Sequence, residues 1–565
     1  MFDLLDVPQV INHLAGTRWC AENDDVWANM SLYRDTFGDG LWRNIPFDMN
    51  ASWGQLYGGS NPLEATVDSS KSHPLYGGAS TGNPFNRLYD VIVRLPETRE
   101  MLLRRQRTLL DRFIQPPGLP FADRVIEQRI IAMTNLIGPE ALMDRAKWGA
   151  APWAPGKSFH VAVSDLFNQF IEPRRRHWAI THCVTNTAKP IGIGNNQNAG
   201  IPTSQTPDAV LEVVDLDFNP ASGNQLHEYL ALTNRNDVAV DISGWRLSGG
   251  VGFQFRPGTV VPARRSILVS PDVRQFRSRG TAPRGGQGVF VVGPYSGQLS
   301  ARGETLTLED DQGRKISTFS FAGSPSLSQR FLRISELHFH PVAPPNAAHP
   351  DEDYEFIEFV NLSPSETLDL RGIRVTGAVD FEFGTGPSTS LAPGGRVVIV
   401  ANPGAFESRY GSGLPVAGTY TGRFDNGGER IQVLDPSGEE ILDFRYTDWF
   451  PEADGGGFSM GIVDVNGEPD SWGDKASWRP SQTLGGTPGT SGAAPRVTIR
   501  VDSSRIVLRF VTTPNQRHLL QVLDPLDSGP WQTLQDIPAT ATETVVEHGE
   551  PLTDSTRFFR VSSIP

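Results

Sequence analysis

Cysteine is scarce in this chain of 565 residues, which contains only Cys20 and Cys183. Two cysteines so far apart provide neither a disulfide framework nor the ligand set of a structural zinc site. We therefore interpret both as small buried apolar side chains rather than as reactive thiols.

Basic residues are outnumbered by acidic ones, and long apolar runs are absent from the sequence. The 64 acidic residues outnumber the 50 lysines and arginines, which gives a formal net charge of −14. Contacts with nucleic-acid phosphates need clustered lysine and arginine, so we expect no nucleic-acid partner. No run of about 18 apolar residues occurs, so we expect no membrane span.

The amino terminus, MFDLLDVPQV, does not have the features of a secretory signal peptide. It contains acidic residues and lacks the basic start and the apolar stretch of such peptides. A chain with this amino terminus is expected to stay in the cytoplasm.

Glycine and proline, in contrast, are abundant, with 57 and 44 residues. These residues favour turns and short strands over long helices. Because 565 residues exceed what one hydrophobic core organises, we predict several domains.

The first third of the chain, residues 1–185, has the apolar periodicity of helices. Apolar side chains recur every three or four residues within 7–14, 96–114 and 125–137. Gly138-Pro139 predicts that the third of these helices ends and that another begins. A further helix is predicted over roughly 161–183. We interpret as a solvated face its three consecutive basic residues, Arg174, Arg175 and Arg176.

From about residue 210 the apolar period changes to two, which predicts many short strands. The polar, aperiodic stretch 186–208 before it is predicted to be a linker. Three blocks of the β region are repeated at nearly constant spacing: 227–250 resembles 354–378, 270–280 resembles 401–411, and 303–321 resembles 428–446. Such a repeat indicates two copies of one module.

The stretch 21–54 contains the residues that could carry chemistry. Asn29 follows Asp24 by five positions, and a strand, a turn and a return strand then lead to Asp48. Phosphoryl transfer needs one carboxylate that accepts the proton of the attacking hydroxyl. It also needs a second carboxylate and an amide oxygen that together bind magnesium. Protein kinases place these groups in the order Asp-x-x-x-x-Asn and then Asp, as this stretch does.

A resemblance to the CotH kinase family (spore coat protein H-like) is carried by DDVWANMSLYRD and, after the turn, by WRNIPFDMNASWG. It covers residues 1–185. Carried over residue by residue, it implies that Asp24 is the catalytic base, with Asp25 as the alternative because either fits the register before Asn29. It implies that Asn29 and Asp48 bind the metal, and that the cofactors are Mg²⁺ and ATP.

The family resemblance also implies a reaction and a location. The expected reaction is ATP-dependent phosphorylation of serine or threonine in an exported protein, outside or on the surface of a bacterial cell. The glycine-rich turn and the lysine of an N-terminal kinase lobe do not precede residue 1. We therefore expect that the signal peptide was lost with that lobe and that this chain is inactive alone.

Two β modules, residues 209–325 and 330–491, resemble lamin-tail domains, which are immunoglobulin-like sandwiches. The first contains VVDLDFNP and VDISGWRLSG, and the second contains LRISELHFHP and LDLRGIRVTG. Glu228 and Glu355 occupy matching positions in the two modules. We interpret them as structural, in a salt bridge or as turn anchors, rather than as catalytic.

The predicted fold class is a multidomain α+β chain, with a mainly helical kinase-like C-lobe fragment followed by all-β immunoglobulin-like sandwiches. After the second module, residues 495–565 are predicted to form a small third sandwich. Two functions remain open: a CotH-type protein kinase, and a non-catalytic adhesion or scaffold protein of the cell surface. The expected partner is an exported protein substrate in the first case and a cell-surface protein or polysaccharide in the second.

Overall fold

The structure is a computed structural model. It describes residues 1–22, 30–49, 52–54, 73–75, 86–149, 158–194, 196–384, 386, 388–490, 497–502, 505–512, 517–523, 531–538, 544–551 and 557–564. These residues form two units, Met1–Gly323 and Ser324–Pro565.

The first unit begins with helices and one β-ribbon. The helices are α1 (Val7–Trp19), α2 (Arg87–Arg94), α3 (Pro96–Leu109), α4 (Val125–Trp148), α5 (Phe159–Asp165) and α6 (Glu172–Arg176); the ribbon consists of β1 (Met30–Arg34) and β2 (Trp42–Pro46). Short π-helical turns extend α3 and flank α6, at Leu110–Ile114, Leu166–Ile171 and His177–Thr181. Helices predicted near the amino terminus, over 96–114 and over 161–183 are confirmed.

Two expectations about the helical region are wrong. Helix α4 continues through Pro139 to Trp148 instead of breaking there. A proline removes one hydrogen bond, here to the carbonyl of Asn135, and water can satisfy that carbonyl because Asn135 is exposed. The basic triplet is not a solvated face, since Arg174 and Arg175 are fully buried.

The remainder of the first unit is a β-sandwich. Its elements are β3 (Leu211–Asp217), β4 (Tyr229–Asn234), β5 (Val240–Asp241), β6 (Arg246–Ser248), β7 (Val251–Gln254), β8 (Val260–Val261), β9 (Ser266–Val269), α7 (Val273–Arg277), β10 (Val291–Val292), β11 (Ser296–Gly297), β12 (Glu304–Glu309) and β13 (Lys315–Phe321). One sheet has the order β10-β9-β4-β3, and the facing sheet has the order β11-β7-β6-β12-β13. Alternating strand residues point into the core between the sheets.

The helical region and the first sandwich share one hydrophobic core. Buried residues of α1 and α3, such as Ile11 and Leu102, belong to the same cluster as Leu232 of β4 and Phe255. The two parts approach closely at Gly258, which has a φ of 89°, because a Cβ there would lie 2.1 Å from the Pro8 carbonyl oxygen. Only glycine fits such a contact in this backbone conformation.

Helix α3 also makes polar contacts with the sandwich. The Glu100 carboxylate accepts a hydrogen bond of 2.6 Å from the backbone N–H of Ala239, and the Arg104 Nε donates one of 2.9 Å to the Ala239 carbonyl. The Arg105 Nη1 lies 3.1 Å from the Asp241 carboxylate, and both side chains are buried. Buried polar groups are therefore paired across this contact, as stability requires.

Three histidines of the first unit are buried together. The ring of His182 meets the rings of His73 and His177 edge-on, with centroids 4.7 and 4.5 Å away, and its Nδ1 accepts a hydrogen bond from the backbone N–H of Ala199. Burial, reinforced by the neighbouring histidines, lowers the pKa of His182 to about 2. The folded protein therefore holds this ring neutral.

We predict that the first unit loses stability as the pH falls below 6.5. The unfolded chain takes up a proton on His182 near its ordinary pKa of 6.5, whereas the folded chain resists protonation down to a pKa of about 2. The free energy of unfolding is expected to drop by about 2–3 kcal/mol between pH 6.5 and 4.5. His182→Asn, whose side-chain oxygen can still accept from Ala199, should remove most of this drop. Denaturant unfolding at several pH values tests this, and an unchanged pH dependence in the variant would contradict it.

The second unit opens with a sandwich of the same strand order. Its elements are α8 (Leu327–Phe331), β14 (Leu332–His338), β15 (Phe356–Asn361), β16 (Leu368–Asp369), β17 (Arg374–Gly377), β18 (Val379–Glu382), β19 (Ser390–Leu391), β20 (Arg396–Val400), α9 (Pro403–Tyr410), β21 (Val416–Thr419), β22 (Thr421–Gly422), β23 (Arg430–Leu434), β24 (Glu440–Arg445), β25 (Phe458–Ile462) and β26 (Trp478–Leu484). The sheets have the orders β21-β20-β15-β14-β25-β26 and β22-β18-β17-β23-β24.

The two sandwiches also share an irregularity. The pairing of β3 with β4 shifts between Val213 and Asp215, and the pairing of β14 with β15 shifts between Ile334 and Glu336. A bulge at equivalent positions is a feature of a common fold rather than a local accident. Beyond this common plan, β25 and β26 extend the sheet of the second sandwich past β14, whereas β3 is the last strand of its sheet among the described residues.

Glu228 and Glu355 anchor equivalent turns. Both are buried. Glu355 accepts hydrogen bonds from the Tyr420 hydroxyl at 3.1 Å and from the backbone N–H of Phe424, and Glu228 accepts one from the backbone N–H of Leu299. This supports a structural role, through hydrogen bonds to turns.

A small sandwich ends the described chain. It consists of β27 (Thr498–Asp502), β28 (Arg505–Val511), β29 (Arg517–Leu523), β30 (Gln532–Ile537), β31 (Val545–Pro551) and β32 (Phe558–Ile564). The sheet orders are β27-β28-β31 and β30-β29-β32, and Leu508, Phe510 and Leu520 lie in the core between them. Helices before residue 186 and strands after residue 210 confirm the predicted α+β class. None of the helices in the described ranges is long and apolar enough to cross a bilayer.

Candidate functional site

The β1–β2 ribbon pairs a sequence neighbour of Asn29 with a sequence neighbour of Asp48, the two predicted metal ligands. The strands are antiparallel, with Met30 opposite Pro46. Met30 directly follows Asn29 in the sequence, and Pro46 precedes Asp48 by two residues. Both neighbours therefore lie at the same, open end of the ribbon.

The closed end of the ribbon is a rigid turn built on Asp35. Its carboxylate accepts hydrogen bonds from the backbone N–H groups of Phe37 and Gly38, at 3.0 and 2.9 Å. Its carbonyl accepts from the N–H of Gly40, and the Arg34 Nε donates to the Gly40 carbonyl at 2.8 Å. Side-chain bonding of this kind fixes a turn and with it the register of the two strands.

The ribbon is attached to the start of α1. Asp6, which is buried, caps the helix through the backbone N–H of Gln9 and also forms an ion pair of 2.8 Å with Arg43 of β2. The Gln9 side chain bonds both the backbone N–H and the carbonyl of Asn44, at 2.9 and 2.6 Å. The Asn44 side chain in turn donates to the Tyr89 hydroxyl of α2. The ribbon is therefore oriented by helices on both sides.

Asp48 lies at the open end, exposed to solvent and with a φ of 47°. A left-handed backbone is uncommon outside glycine, and aspartate and asparagine tolerate it best among the others. Such conformations concentrate at functional sites. The fixed ribbon thus presents an exposed carboxylate, a hard oxygen ligand of the kind that magnesium prefers.

The end of α1 is a second fixed point. Ala21 has a φ of 51°, the N–H of Ala21 donates to the Arg18 carbonyl, and the N–H of Glu22 donates to the Thr17 carbonyl. This pair of bonds is the Schellman motif that closes helices. The chain therefore leaves α1 in a defined direction one residue before Asn23.

The remaining carbonyls of this helix end are bonded from two other segments. The Arg174 guanidinium donates to the carbonyls of Arg18 and Trp19, the latter at 3.1 Å. The backbone N–H of Trp53 donates to the Cys20 carbonyl at 2.6 Å. Trp53 follows Asp48 by five residues, so the chain before Asn23 and the chain after Asp48 are tied together at Cys20.

Cysteine chemistry has no support at this point. Cys20 as a residue is only half-buried, but its thiol is enclosed, and this burial raises the pKa of the thiol to about 12. A thiol with such a pKa is protonated and inert near neutral pH. Cys183 is buried as well, in agreement with the interpretation from sequence.

The structure places one of the four predicted site residues. Asp24, Asp25 and Asn29 lie outside the described residues, and their roles as base and ligands stay predictions. In the part of the chain that the structure describes, no group of three or more histidine, cysteine, aspartate or glutamate side chains could hold a metal ion. Of the predicted site, the described residues therefore include Asp48 and the scaffold around it.

Sequence reasoning missed three residues of this scaffold, Ala21, Trp53 and Arg174. Two of them act through the backbone, for which side-chain identity gives no signal. Arg174 was noticed only as part of a charged triplet. A buried arginine bonded to carbonyls has the same sequence appearance as one on a solvated helix face.

Two families match parts of the chain. The family described as CotH kinase protein matches residues 2–178, and the family described as Lamin Tail Domain matches residues 204–323. The first range contains the ribbon and α1 to α6, and the second contains the first sandwich. These matches confirm the CotH and lamin-tail resemblances; a lamin-tail origin of residues 330–491 stays a prediction.

A search of curated proteins finds no match to this chain. Among solved structures, a similarity is found to the crystal structure of the S-layer protein SbsC, domains 7, 8 and 9, at 15% sequence identity. The alignment covers 42% of this chain and 61% of that chain, with a TM-score of 0.11. So low a TM-score carries no argument about fold or function.

Proposed function

We propose that this chain takes part in phosphoryl transfer from Mg-ATP as the C-terminal part of a CotH-type kinase domain, acting together with an N-terminal kinase lobe. Its residues 2–178 match the CotH kinase family and its residues 204–323 match the Lamin Tail Domain. The acceptor is a serine or threonine hydroxyl of an exported protein. The alternative of a non-catalytic surface scaffold has no contact in the described residues that favours it over the kinase reaction.

The register of the ribbon is the observation that carries this proposal. Met30 and Pro46 pair at the end of the ribbon from which the chain continues to Asp48. In this arrangement Asn29 and Asp48 would supply an amide oxygen and a carboxylate to one magnesium ion. Bound Mg²⁺ would neutralise charge on the ATP phosphates.

The protein's own residues would do the remaining work. Asp24, or Asp25 in its place, would accept the proton of the attacking hydroxyl. The Schellman turn at Ala21 and Glu22 would set the direction in which the chain leaves α1 toward Asp24. Positioning of this kind is the main contribution a protein makes to phosphoryl transfer.

In a protein that includes the N-terminal kinase lobe, Asp48→Asn is expected to reduce transfer of radiolabelled phosphate from ATP by at least about a hundredfold. Asparagine tolerates the left-handed backbone at this position but supplies no negative charge to the metal. Asp35→Asn is the matched control, since it removes one charge from the closed end of the ribbon and keeps the oxygen that caps the turn. It should transfer at the rate of the unmodified protein.

Other outcomes of the same assay are equally informative. Equal transfer by the Asp48 and Asp35 variants would remove Asp48 from the mechanism. An unmodified protein that includes the N-terminal kinase lobe, binds neither Mg²⁺ nor ATP and transfers nothing would contradict the proposal and favour the surface scaffold.

We propose further that the protein acts outside the cytoplasm, at the cell surface. CotH kinase regions and lamin tail domains are both typical of extracellular or cell-surface proteins. Fractionation of the source cells, followed by detection of this chain, tests the location. Recovery in the cytoplasmic fraction alone would contradict it.

A further inference from the structure

We infer that Arg174 is a positioning residue for the predicted catalytic segment, an inference that rests on the proposed function. Its guanidinium bonds the carbonyls from which the chain turns toward Asp24. It would act by fixing the end of α1 and not by touching ATP or the acceptor hydroxyl.

The Arg174 guanidinium lies against the end of α1. Its side chain is completely buried, donates to the carbonyls of Arg18 and Trp19, and lies over the face of Trp178, with 5.5 Å from the guanidinium carbon to the ring centroid. The carboxyl end of a helix carries a partial negative charge, which a cation stabilises. The guanidinium also holds several donors in one plane, so it can bond two successive carbonyls at once.

The helical segment that contains Arg174 also packs against the chain that follows Asp48. Phe170 lies four residues before Arg174, and the centroids of the Phe170 and Trp53 rings are 6.1 Å apart. Both residues belong to a small apolar cluster with Ala21. Trp53 donates to the Cys20 carbonyl. The segment around Arg174 therefore contacts the chain on both sides of the predicted base and metal ligands.

An apolar side chain could not replace Arg174 at this place. Burial lowers the pKa of Arg174 to about 9, which shows how strongly its charged form is desolvated. A well-packed apolar side chain often stabilises a fold as much as a buried ion does, or more. What an apolar side chain cannot do is bond two carbonyls and fix their orientation.

Arg175 is a natural comparison. It is equally buried, but its guanidinium bonds the carbonyls of Ile114 and Gln115 and the Glu127 carboxylate. These groups lie at the end of the π-helical turn that extends α3 and in α4, and not at the end of α1. A change at Arg175 should therefore weaken the fold without acting on the site.

The experiment compares Arg174→Gln, Arg174→Lys and Arg175→Gln in the full chain by hydrogen exchange of the backbone. In the unmodified protein the amides of Ala21, Glu22 and Trp53 should exchange slowly, because each is hydrogen-bonded. Arg174→Gln should speed their exchange about tenfold or more, since it removes the cation that holds this helix end. Arg174→Lys should recover part of the protection, and Arg175→Gln should leave these amides at the rate set by its overall stability.

Phosphoryl transfer gives a second readout. In a protein that includes the N-terminal kinase lobe, Arg174→Gln should lower kcat by about 10- to 100-fold with the KM for ATP unchanged, as expected for a residue that orients another. Equal exchange at Ala21 and Glu22 in the Arg174→Gln and unmodified proteins would overturn the inference, as would an equal increase in Arg175→Gln. Because exchange needs no ATP, slow exchange that depends on Arg174 in a protein without transfer would contradict the proposed function alone.

Discussion

Arg105→Met is expected to lower the free energy of unfolding of the first unit by about 3–5 kcal/mol. The Arg105 guanidinium lies 3.1 Å from the Asp241 carboxylate, and the two side chains are only 7% and 2% exposed. It also donates to Asn12 of α1 at 2.9 Å and to Ser243 at 3.2 Å. Methionine has a similar volume but leaves the Asp241 charge buried without its cation.

A double-mutant cycle separates this effect from lost packing. Arg105→Met with Asp241→Leu should be less destabilised than Arg105→Met alone, because the orphaned charge is removed. Arg94→Met is the surface control. Its ion pair with Asp90 leaves the arginine 61% exposed, and such pairs contribute at most about 1 kcal/mol. Calorimetry that finds equal losses for Arg105→Met and Arg94→Met would show that the contact between α3 and the sandwich is weak.

Trp472→Ala should have a comparable effect in the second unit, about 3–5 kcal/mol. Trp472 lies in the connection between β25 and β26, where it is fully buried against β24, and its indole N–H donates to the Ile334 carbonyl at 3.0 Å. Its own carbonyl accepts from the Trp478 indole N–H at 2.8 Å. Alanine would leave a cavity and an unbonded carbonyl on β14.

Trp472→Phe is the matched control, since it fills most of the space and loses chiefly the hydrogen bond. It should destabilise by about 1–2 kcal/mol. The melting transition of the second unit is identified as the one that Arg105→Met does not shift. A loss in Trp472→Ala no larger than in Trp472→Phe would mean that the hairpin is not part of the sandwich core.

Much of the fold could be predicted from local patterns. The stripe of Val7, Val10 and Ile11 gives α1, with Asp6 as its cap and Pro8 in its first turn. The alternation of Leu306 and Leu308 gives β12. The repeat of whole blocks predicted two like sandwiches, and their sheets have the same order. The helix and strand patterns depend on residues close in sequence, and the repeat is found by comparing the sequence with itself. Neither requires knowledge of the tertiary fold.

Long-range contacts could not be predicted in the same way. Arg105 and Asp241 are 136 positions apart, and nothing in either neighbourhood indicates the other. Arg174 and Arg175 are charged residues on a short helix, a pattern that usually means solvent. Burial of such side chains depends on which carbonyls and carboxylates the tertiary fold brings to them.

The candidate site, likewise, could be predicted only in part. The aspartates and Asn29 were identified by residue type and spacing, and the ribbon that supports Asp48 was predicted from its turn. The left-handed residues Ala21 and Asp48, in contrast, were not predicted, because alanine and aspartate are compatible with many backbone conformations. The fixed geometry comes from the bonds made to their neighbours.

The outermost position of β3 has a consequence for how neighbouring copies of this protein behave in solution. An exposed strand edge can pair with the edge of another molecule, and a chain with two similar sandwiches would be prone to such fusion. Here the bulge between Val213 and Asp215 interrupts the edge of β3, and the Ser317 hydroxyl of β13 donates to the Leu211 carbonyl at 2.7 Å. An edge that is interrupted by a bulge and partly bonded by a neighbouring strand is a poor template for pairing, so that like sheets stay separate at high local concentration.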